Sequence, residues 1–296
     1  MAWSLSSFAI ILLQAIINGL FIGGLYGAIS MGLSLIFGVM KLVNFAHGEF
    51  LMLAMYVTYW FVVYMGTSPL VSLVVSIPLL FAIGYLFEAL MLSRTLPLGD
   101  LPEILLTVGL SIFLQNFAQL LWSSNYQVVP VGYPDISYGL SGVFIALPPL
   151  IIFIGSLVAA VILWLILQRT SIGLTMQATA QDITAAKLMG VNTKSAFAIS
   201  FGLGIAFTAA AGSLLAPTYE IFPTIGSTFI LIMFVVVVIG GMGDIRGAYV
   251  GGLVLGLISS ISSLFVTADL GQVVLFVFFI LVLLLRPNGL FGKMTR

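Results

Sequence analysis

The chain has 296 residues, of which 61% are hydrophobic and only 6% charged; a soluble domain is about a quarter charged, so there are too few charges here to cover a water-facing surface. Nine basic and nine acidic residues cancel, which gives no reason to expect nucleic acid as a partner. Cysteine is absent and histidine occurs once, which excludes a disulfide frame and thiolate chemistry and argues against any metal site.

Apolar runs recur at 8–38, 43–64, 69–92, 103–123, 148–168, 195–216, 226–242, 247–266 and 270–286. Runs of about 20 residues are long enough to cross a bilayer. They are apolar all round, whereas a membrane β-barrel alternates apolar and polar residues. The expected fold is an all-α polytopic membrane protein with eight or nine crossings, forming one transmembrane domain over 1–296. The start, "MAWSLSSFAIILLQ", has no basic residue before Lys41. A cleavable signal peptide needs a positive n-region, so this reads as a retained helix, either tilted or broken near Gly23 and Gly24. The run 43–64 reads as a full crossing or as a partly re-entrant segment.

With nine spans and the C-terminal tail in the cytoplasm, Lys41, Arg94, Arg169, Lys187, Lys194, Arg246, Arg286, Lys293 and Arg296 all fall on the cytoplasmic side. Asp135, Glu220 and Asp269 fall on the other. The positive-inside rule then predicts an outside N-terminus and an inside C-terminus.

The stretch "KLVNFAHGEF", Lys41–Phe50, concentrates polar residues between two apolar runs. Asn44 is placed to cap a helix beginning near Phe45, with Glu49 at the positive end of its dipole and Lys41 as an interfacial cation. If the segment lies deeper, His47 and Glu49 are intramembrane ionisable groups. Such groups are costly and usually face the bundle interior or a water-filled path. Asn44, His47 and Glu49 are therefore translocation or gating candidates, and a proton relay through His47 and Glu49 is the secondary-transporter version.

Two polar segments stand out. The external loop, 124–147, has one charge and is expected to pack on the outer mouth or contact a partner. The cytoplasmic loop, 169–194, reads "RTSIGLTMQATAQDITAAKLMGVNTK". Its segment Asp182–Met189 lacks Pro and Gly, and Gly190 can close a helix there. Asp182 and Lys187 suit the two ends of the dipole. The apolar face either packs back on the membrane domain or docks a cytoplasmic partner.

Small residues recur four apart at Gly19, Gly23 and Gly27, at Gly24, Ala28 and Gly32, at Gly243, Gly247 and Gly251, and at Gly252 and Gly256. That spacing lets helix backbones approach closely in lipid. The segment "GMGDIRG" is not a dinucleotide loop, because that motif needs a soluble strand–turn–helix unit. Asp244 and Arg246 in it pair with each other, meet a partner or are solvated.

The segment "TAAKLMG", Thr184–Gly190, resembles the E-A-A-x-x-x-G loop of ABC-importer permeases. Ala185, Ala186 and Gly190 match, and Thr184 stands where glutamate is usual. With "NFAHGE", "GLSIFLQN", "VVVVIGGMGDIRGAYVGG" and "LVLLLRPNGLFG" in order, nearly the whole chain resembles the branched-chain amino-acid ABC permeases. Urea and short-amide permeases share the pattern. The resemblance implies one of two homologous (or identical) permease subunits in the inner membrane. Two cytoplasmic ATPases would carry ATP and Mg, an extracytoplasmic binding protein would deliver the substrate, and transport would proceed by alternating access. It makes Asp182, Thr184, Ala185, Ala186, Lys187 and Gly190 the ATPase-coupling loop. The chain lacks G-x-x-x-x-G-K-[ST], so no enzymatic role and no bound cofactor are expected of it. A stand-alone secondary transporter or channel is the competing class, and an intramembrane enzyme finds no serine–histidine or paired-aspartate support.

Overall fold

The computed structural model describes residues 5–130, 137–140, 142–266 and 268–292. Asp135, Lys293, Arg296 and the side chain of Asp269 lie outside the described residues. In chain order the elements are α1 (Leu5–Met40), α2 (His47–Met65) and α3 (Pro69–Phe87). From α3 the chain continues through a π-helical turn, Glu88–Leu92, the single turn α4 (Ser93–Thr95) and a 3-10 turn, Leu96–Leu98. Then come α5 (Asp100–Trp122), a hairpin of β1 (Ser137–Leu140) and β2 (Val143–Ala146), and α6 (Leu147–Arg169). The short helices α7 (Ser171–Gln181) and α8 (Ile183–Leu188) lead to α9 (Thr193–Leu215), α10 (Ile225–Gly240), α11 (Ile245–Ser262) and α12 (Ala268–Leu285). Among the described residues, seven helical stretches are long and apolar enough to cross a membrane, and Ile225–Gly240 and Val273–Leu285 are shorter apolar helices. The chain is a polytopic helical membrane protein.

The first helix is continuous over 36 residues, with no break at Gly23 or Gly24, and spans about 54 Å. Its small residues serve three different neighbours. Gly19, Gly23 and Gly27 lie on α11: a β-carbon at Gly23 would stand 2.7 Å from Leu253 Cα, and one at Gly256 only 2.3 Å from Gly23 Cα. Gly24 faces Phe153 and Ser156 of α6, and Gly32 faces Gly204 and Thr208 of α9. The glycines Gly243, Gly247 and Gly251 do not form the matching face on α11; Gly252 and Gly256 do. Gly243 sits at φ +87° in the turn against Gly38, while Gly247 and Gly251 pack on Gly240 at the end of α10.

Contacts fix the relative directions of the helices. The α1–α11 pair is antiparallel, matching Gly19 with Gly256 and Gly23 with Gly252. So is α3–α9, where the hydroxyls of Ser76 and Ser213 lie 2.7 Å apart and Gly84 meets Ile205. Helices α2 and α5 run parallel, joined at Glu49–Gln115 and again seven residues on, where Tyr56 stacks on Trp122 at 4.2 Å. These are the directions that alternating passage through a bilayer requires.

The same neighbour pattern occurs twice. Helices α1, α2, α3 and α5 correspond to α9, α10, α11 and α12: α1 packs on α11 as α9 packs on α3, α2 on α3 as α10 on α11, and α2 on α5 as α10 on α12. The correspondence places α1 against α9 at Gly32 and Gly204, and α2 against α10 at Gly48 and Gly226. This is the signature of an inverted repeat, an arrangement that puts interrupted helices near the bilayer midplane.

One end of the bundle is tied by polar loops. The side-chain amide of Gln14 both donates to and accepts from the backbone of Phe144 in the hairpin, at 2.9 and 2.8 Å. Gln127 and Ile221 exchange backbone hydrogen bonds of 2.9 and 2.8 Å. The described part of the 124–147 loop thus packs on the bundle's own end. At the other end Lys41, Gln168, Gln177, Asp244 and Arg246 line a single cleft of about 660 Å³. Asp244 accepts from Gly247 N at 2.9 Å as the cap of α11, and Arg246 lies over Trp164, 5.7 Å from the ring centre. Each of the two has its own partner, in place of the Asp244–Arg246 pair that was one reading of the sequence.

Candidate functional site: interrupted helices and a polar seam

After α1 the chain turns at Lys41, which adopts φ +59°, and runs non-helical through 42–46 with Leu42, Asn44 and Ala46 buried. Helix α2 then starts inside the bundle, and its residues His47–Tyr56 are all buried. Asn44 does not cap it. Its Oδ1 accepts from Ala46 N at 3.0 Å, a local turn that ends before the helix begins, and the N-cap residue Ala46 has no side-chain cap. The helix thus begins at His47, two residues later than expected, after a local turn of the kind asparagine favours.

The second repeat does the same. The stretch 216–224 is non-helical, with Ala216, Ile221 and Pro223 buried, and α10 begins at Ile225. The second residues of the two helices, Gly48 and Gly226, touch backbone to backbone; a β-carbon on Gly48 would stand 2.3 Å from Gly226 O. Two helix N-termini, each a positive dipole end, therefore converge within the protein.

The polar residues of α2 point in opposite directions. His47 is fully buried against α9, its Nε2 2.6 Å from Thr208 Oγ1, which also donates to Gly204 O at 3.0 Å. Glu49 lies two residues on, about 200° around the helix, and faces α5. Its Oε1 accepts from Gln115 Nε2 at 2.7 Å and Ser111 Oγ at 3.2 Å. Its Oε2 is buried beside Gly226 with no hydrogen-bond partner. No hydrogen bond joins His47 to Glu49 among the described residues, so the relay geometry considered for a secondary transporter is missing.

Gln115 Nε2 also donates to Ser227 Oγ at 3.3 Å. Glu49 and Ser227 are the third residues of α2 and α10, so one side-chain amide spans both interrupted helices. Gln115 belongs to a seam of polar residues four apart on α5: Glu103, Thr107, Ser111, Gln115 and Gln119. The seam is about 24 Å long and winds around the helix by about 160° from Glu103 to Gln119, because residues four apart are neighbours on the helix surface but each step drifts by about 40°. Glu103 and Thr107 are buried, and exposure increases toward Gln119. The other faces carry Leu105, Phe113 and Leu120, all exposed. Sequence reasoning missed this seam; its signal, five polar residues at a helical interval in an apolar run, was available. It also missed Glu88, buried in the π-helical turn with Oε1 unpaired.

The short helix α8 forms where expected, and Asp182, expected there for the dipole, also caps it. Asp182 Oδ1 accepts from Thr184 N and Ala185 N at 2.8 and 3.0 Å, and Gly190 closes the turn at φ +85°. Ala186 is buried against the bundle, whereas Thr184, Ala185 and Lys187 are exposed. Leu188 and Met189 protrude, 83% and 84% exposed. Ala186 thus packs back as one reading of the apolar face expected, while Leu188 and Met189 remain uncovered. A second helix, α7, precedes it; Thr170 caps that helix by accepting from Gly173 N at 3.1 Å.

Residues 15–283 match the family model described as "Branched-chain amino acid transport system / permease component". The chain belongs to this family of permeases. It is 31% identical to the high-affinity branched-chain amino acid transport system permease protein BraD of Pseudomonas aeruginosa, over 95% of this chain and 96% of the relative. The permease LivH of Escherichia coli K12, of the same description, gives 31% identity with the same coverage. A probable branched-chain amino acid transport permease protein LivH of Methanocaldococcus jannaschii is 27% identical over 89% of this chain and 87% of its own length. No solved structure matches. In this permease the interrupted helices, the seam and the protruding α8 are thus parts of a membrane transport subunit.

Proposed function

We propose that the chain is a membrane-spanning subunit of an ATP-driven importer that moves branched-chain amino acids across a bacterial-type inner membrane by alternating access. The observation that carries this reading is the polar seam of α5 running beside the two interrupted helices. A hydrophilic stripe of that length in an apolar helix is costly unless it faces a path or a partner. Half of a path lies on this chain, and a second permease subunit, homologous or identical, would supply the other half.

The end bearing Lys41, Arg246 and α8 is the cytoplasmic one under the positive-inside rule, with the hairpin outside. There Leu188 and Met189 are suited to bury themselves in a groove of an ATPase subunit, and Asp182, Thr184, Ala185, Ala186, Lys187 and Gly190 build the helix that presents them. ATP and Mg would sit on the ATPases, and an extracytoplasmic binding protein would deliver the amino acid. The test is uptake of leucine into proteoliposomes containing this chain, its homologue, the ATPases and the binding protein. The reading expects uptake only with ATP and all components. Uptake that persists without ATPase subunits would overturn it.

A further inference from the structure

The cleft of about 660 Å³ at the Lys41 end lies apart from the polar seam and from the protruding tip of α8: no described residue of α2, α5 or α8 lines it. Three contacts knit its walls. Gly243 packs on Gly38, which brings the turn before α11 onto the end of α1. Arg246 lies over Trp164 of α6. Gln177 Nε2 of α7 donates to Leu167 O of α6 at 2.6 Å.

The charge of this cleft is unbalanced. Lys41 and Arg246 both line it and are exposed, and among the described residues neither has an acidic partner or a side-chain hydrogen bond. Asp244 lines it too, but its carboxylate accepts from Gly247 N at 2.9 Å and so is engaged by the N-terminal dipole of α11. A guanidinium over an aromatic ring keeps the donors of its edge available, and a phosphate accepts from such an edge with two parallel hydrogen bonds. A lysine ammonium beside it adds a second positive charge.

The surroundings select the source of the phosphate. Trp164 is five residues inside Arg169 at the end of α6. Val161 and Leu157, three and seven residues before Trp164, share its helix face and are exposed. The cationic cleft therefore opens onto an uncovered apolar strip that runs into the bilayer. The wall helix α7 also leaves Ile172 and Leu174 uncovered, as a helix lying in the membrane interface does. A soluble phosphate compound would use the cleft alone, whereas a phospholipid uses the cleft and the strip.

We propose that this cleft binds the headgroup of an anionic phospholipid of the cytoplasmic leaflet. Lys41 and Arg246 take the phosphate, and an acyl chain lies along Trp164, Val161 and Leu157. Basic pockets between helices on the cytoplasmic side are suited to such headgroups. The site depends on the membrane fold and not on the substrate moved, so lipid binding and uptake can fail independently.

The test uses the complete transporter in phosphatidylcholine vesicles and measures tryptophan quenching by phosphatidylglycerol with brominated acyl chains. The Trp164 contribution is the difference from Trp164→Phe. Brominated phosphatidylglycerol is expected to quench Trp164 in preference to brominated phosphatidylcholine, with about fivefold of that preference lost for each cation removed. Lys41→Asn removes one charge at a left-handed position that asparagine tolerates, and Arg246→Gln removes the other. Arg94→Gln, an exposed cation outside the cleft, is expected to keep the full preference, and excess inorganic phosphate should not displace the lipid. Equal quenching by the two lipids, a preference unchanged in both cleft variants, or a loss in Arg94→Gln as deep as theirs would overturn the site. Displacement by inorganic phosphate would assign the cleft to a soluble ligand, and a preference seen only without the ATPase subunits would assign it to a protein partner; either result would also overturn it. Should Arg246→Gln fail to assemble, Lys41→Asn decides alone.

Discussion

Gly48 and Gly226 meet backbone to backbone, each the second residue of a helix that starts inside the protein. The contact lets two positive helix ends approach one carboxylate, Glu49. It also leaves no room for any side chain. A β-carbon on Gly226 would lie 2.6 Å from Gly48 O and 2.7 Å from Glu49 Oε2. Gly48→Ala and Gly226→Ala are therefore expected to lower the thermal midpoint in detergent, each by the equivalent of about 1–3 kcal/mol of overpacking. A midpoint equal to wild type in both would mean that the helices do not meet here.

Gly109 supplies the contrast. It is in the middle of α5 with nothing within 4 Å of an added β-carbon. Gly109→Ala is expected to leave the fold intact and to gain about 1 kcal/mol from helix propensity. Gly256→Ala is expected to destabilise, because its β-carbon would lie 2.2 Å from Gly23 N. Opposite shifts of the two thermal midpoints would be the confirming result.

The protruding tip of α8 separates coupling from folding. Leu188→Arg and Met189→Asp change residues that are more than four-fifths exposed, so normal amounts of membrane protein are expected. Uptake by the complete transporter should fall at least tenfold, and ATP hydrolysis should no longer track substrate. Ala186→Arg is a different case: at 5% exposure it would bury a charge against the bundle and reduce the protein level itself. Membrane yield and uptake, measured side by side, distinguish the two classes.

His47 is expected to be structural. His47→Ala removes the contact with Thr208, and Thr208 retains Gly204 O as a partner. The cost should be about 1–3 kcal/mol in stability, read as a lower thermal midpoint. Uptake per folded molecule should stay within about twofold of wild type, since the side chain faces away from the seam. A proton-coupled mechanism would instead abolish uptake while leaving the midpoint unchanged.

Losing the cap of α8 is a smaller effect. Asp182→Ala frees two backbone N–H groups at the start of a six-residue helix, worth about 1 kcal/mol. Faster hydrogen exchange confined to 183–188 would report it.

The helix pattern was legible because hydropathy is a local property: among the described residues each of the nine apolar runs contains a helix that ends within about five residues of its expected bounds. Gly190 was legible for the same reason, since a left-handed turn acts within a few residues; Asp182 was placed at the helix start for its charge, and its side-chain cap emerged only in the structure. Asn44 misled because an asparagine can bond to its neighbour two residues on as readily as cap a helix. His47 and Glu49 looked like one cluster, yet a helix sends residues two apart to opposite faces, and only the neighbours α9 and α5 give those faces different meanings.

By itself, the sequence determined that this is a multi-pass helical membrane protein of one permease family, because long apolar runs and extended motifs are written along the chain. The tertiary structure alone decided which small-residue face meets which helix, that two interrupted helices converge at Gly48 and Gly226, and that Gln115 bridges Glu49 to Ser227. Those relationships join residues 66 to 237 positions apart, and no local propensity or spacing specifies which of several similar helix faces will pack together.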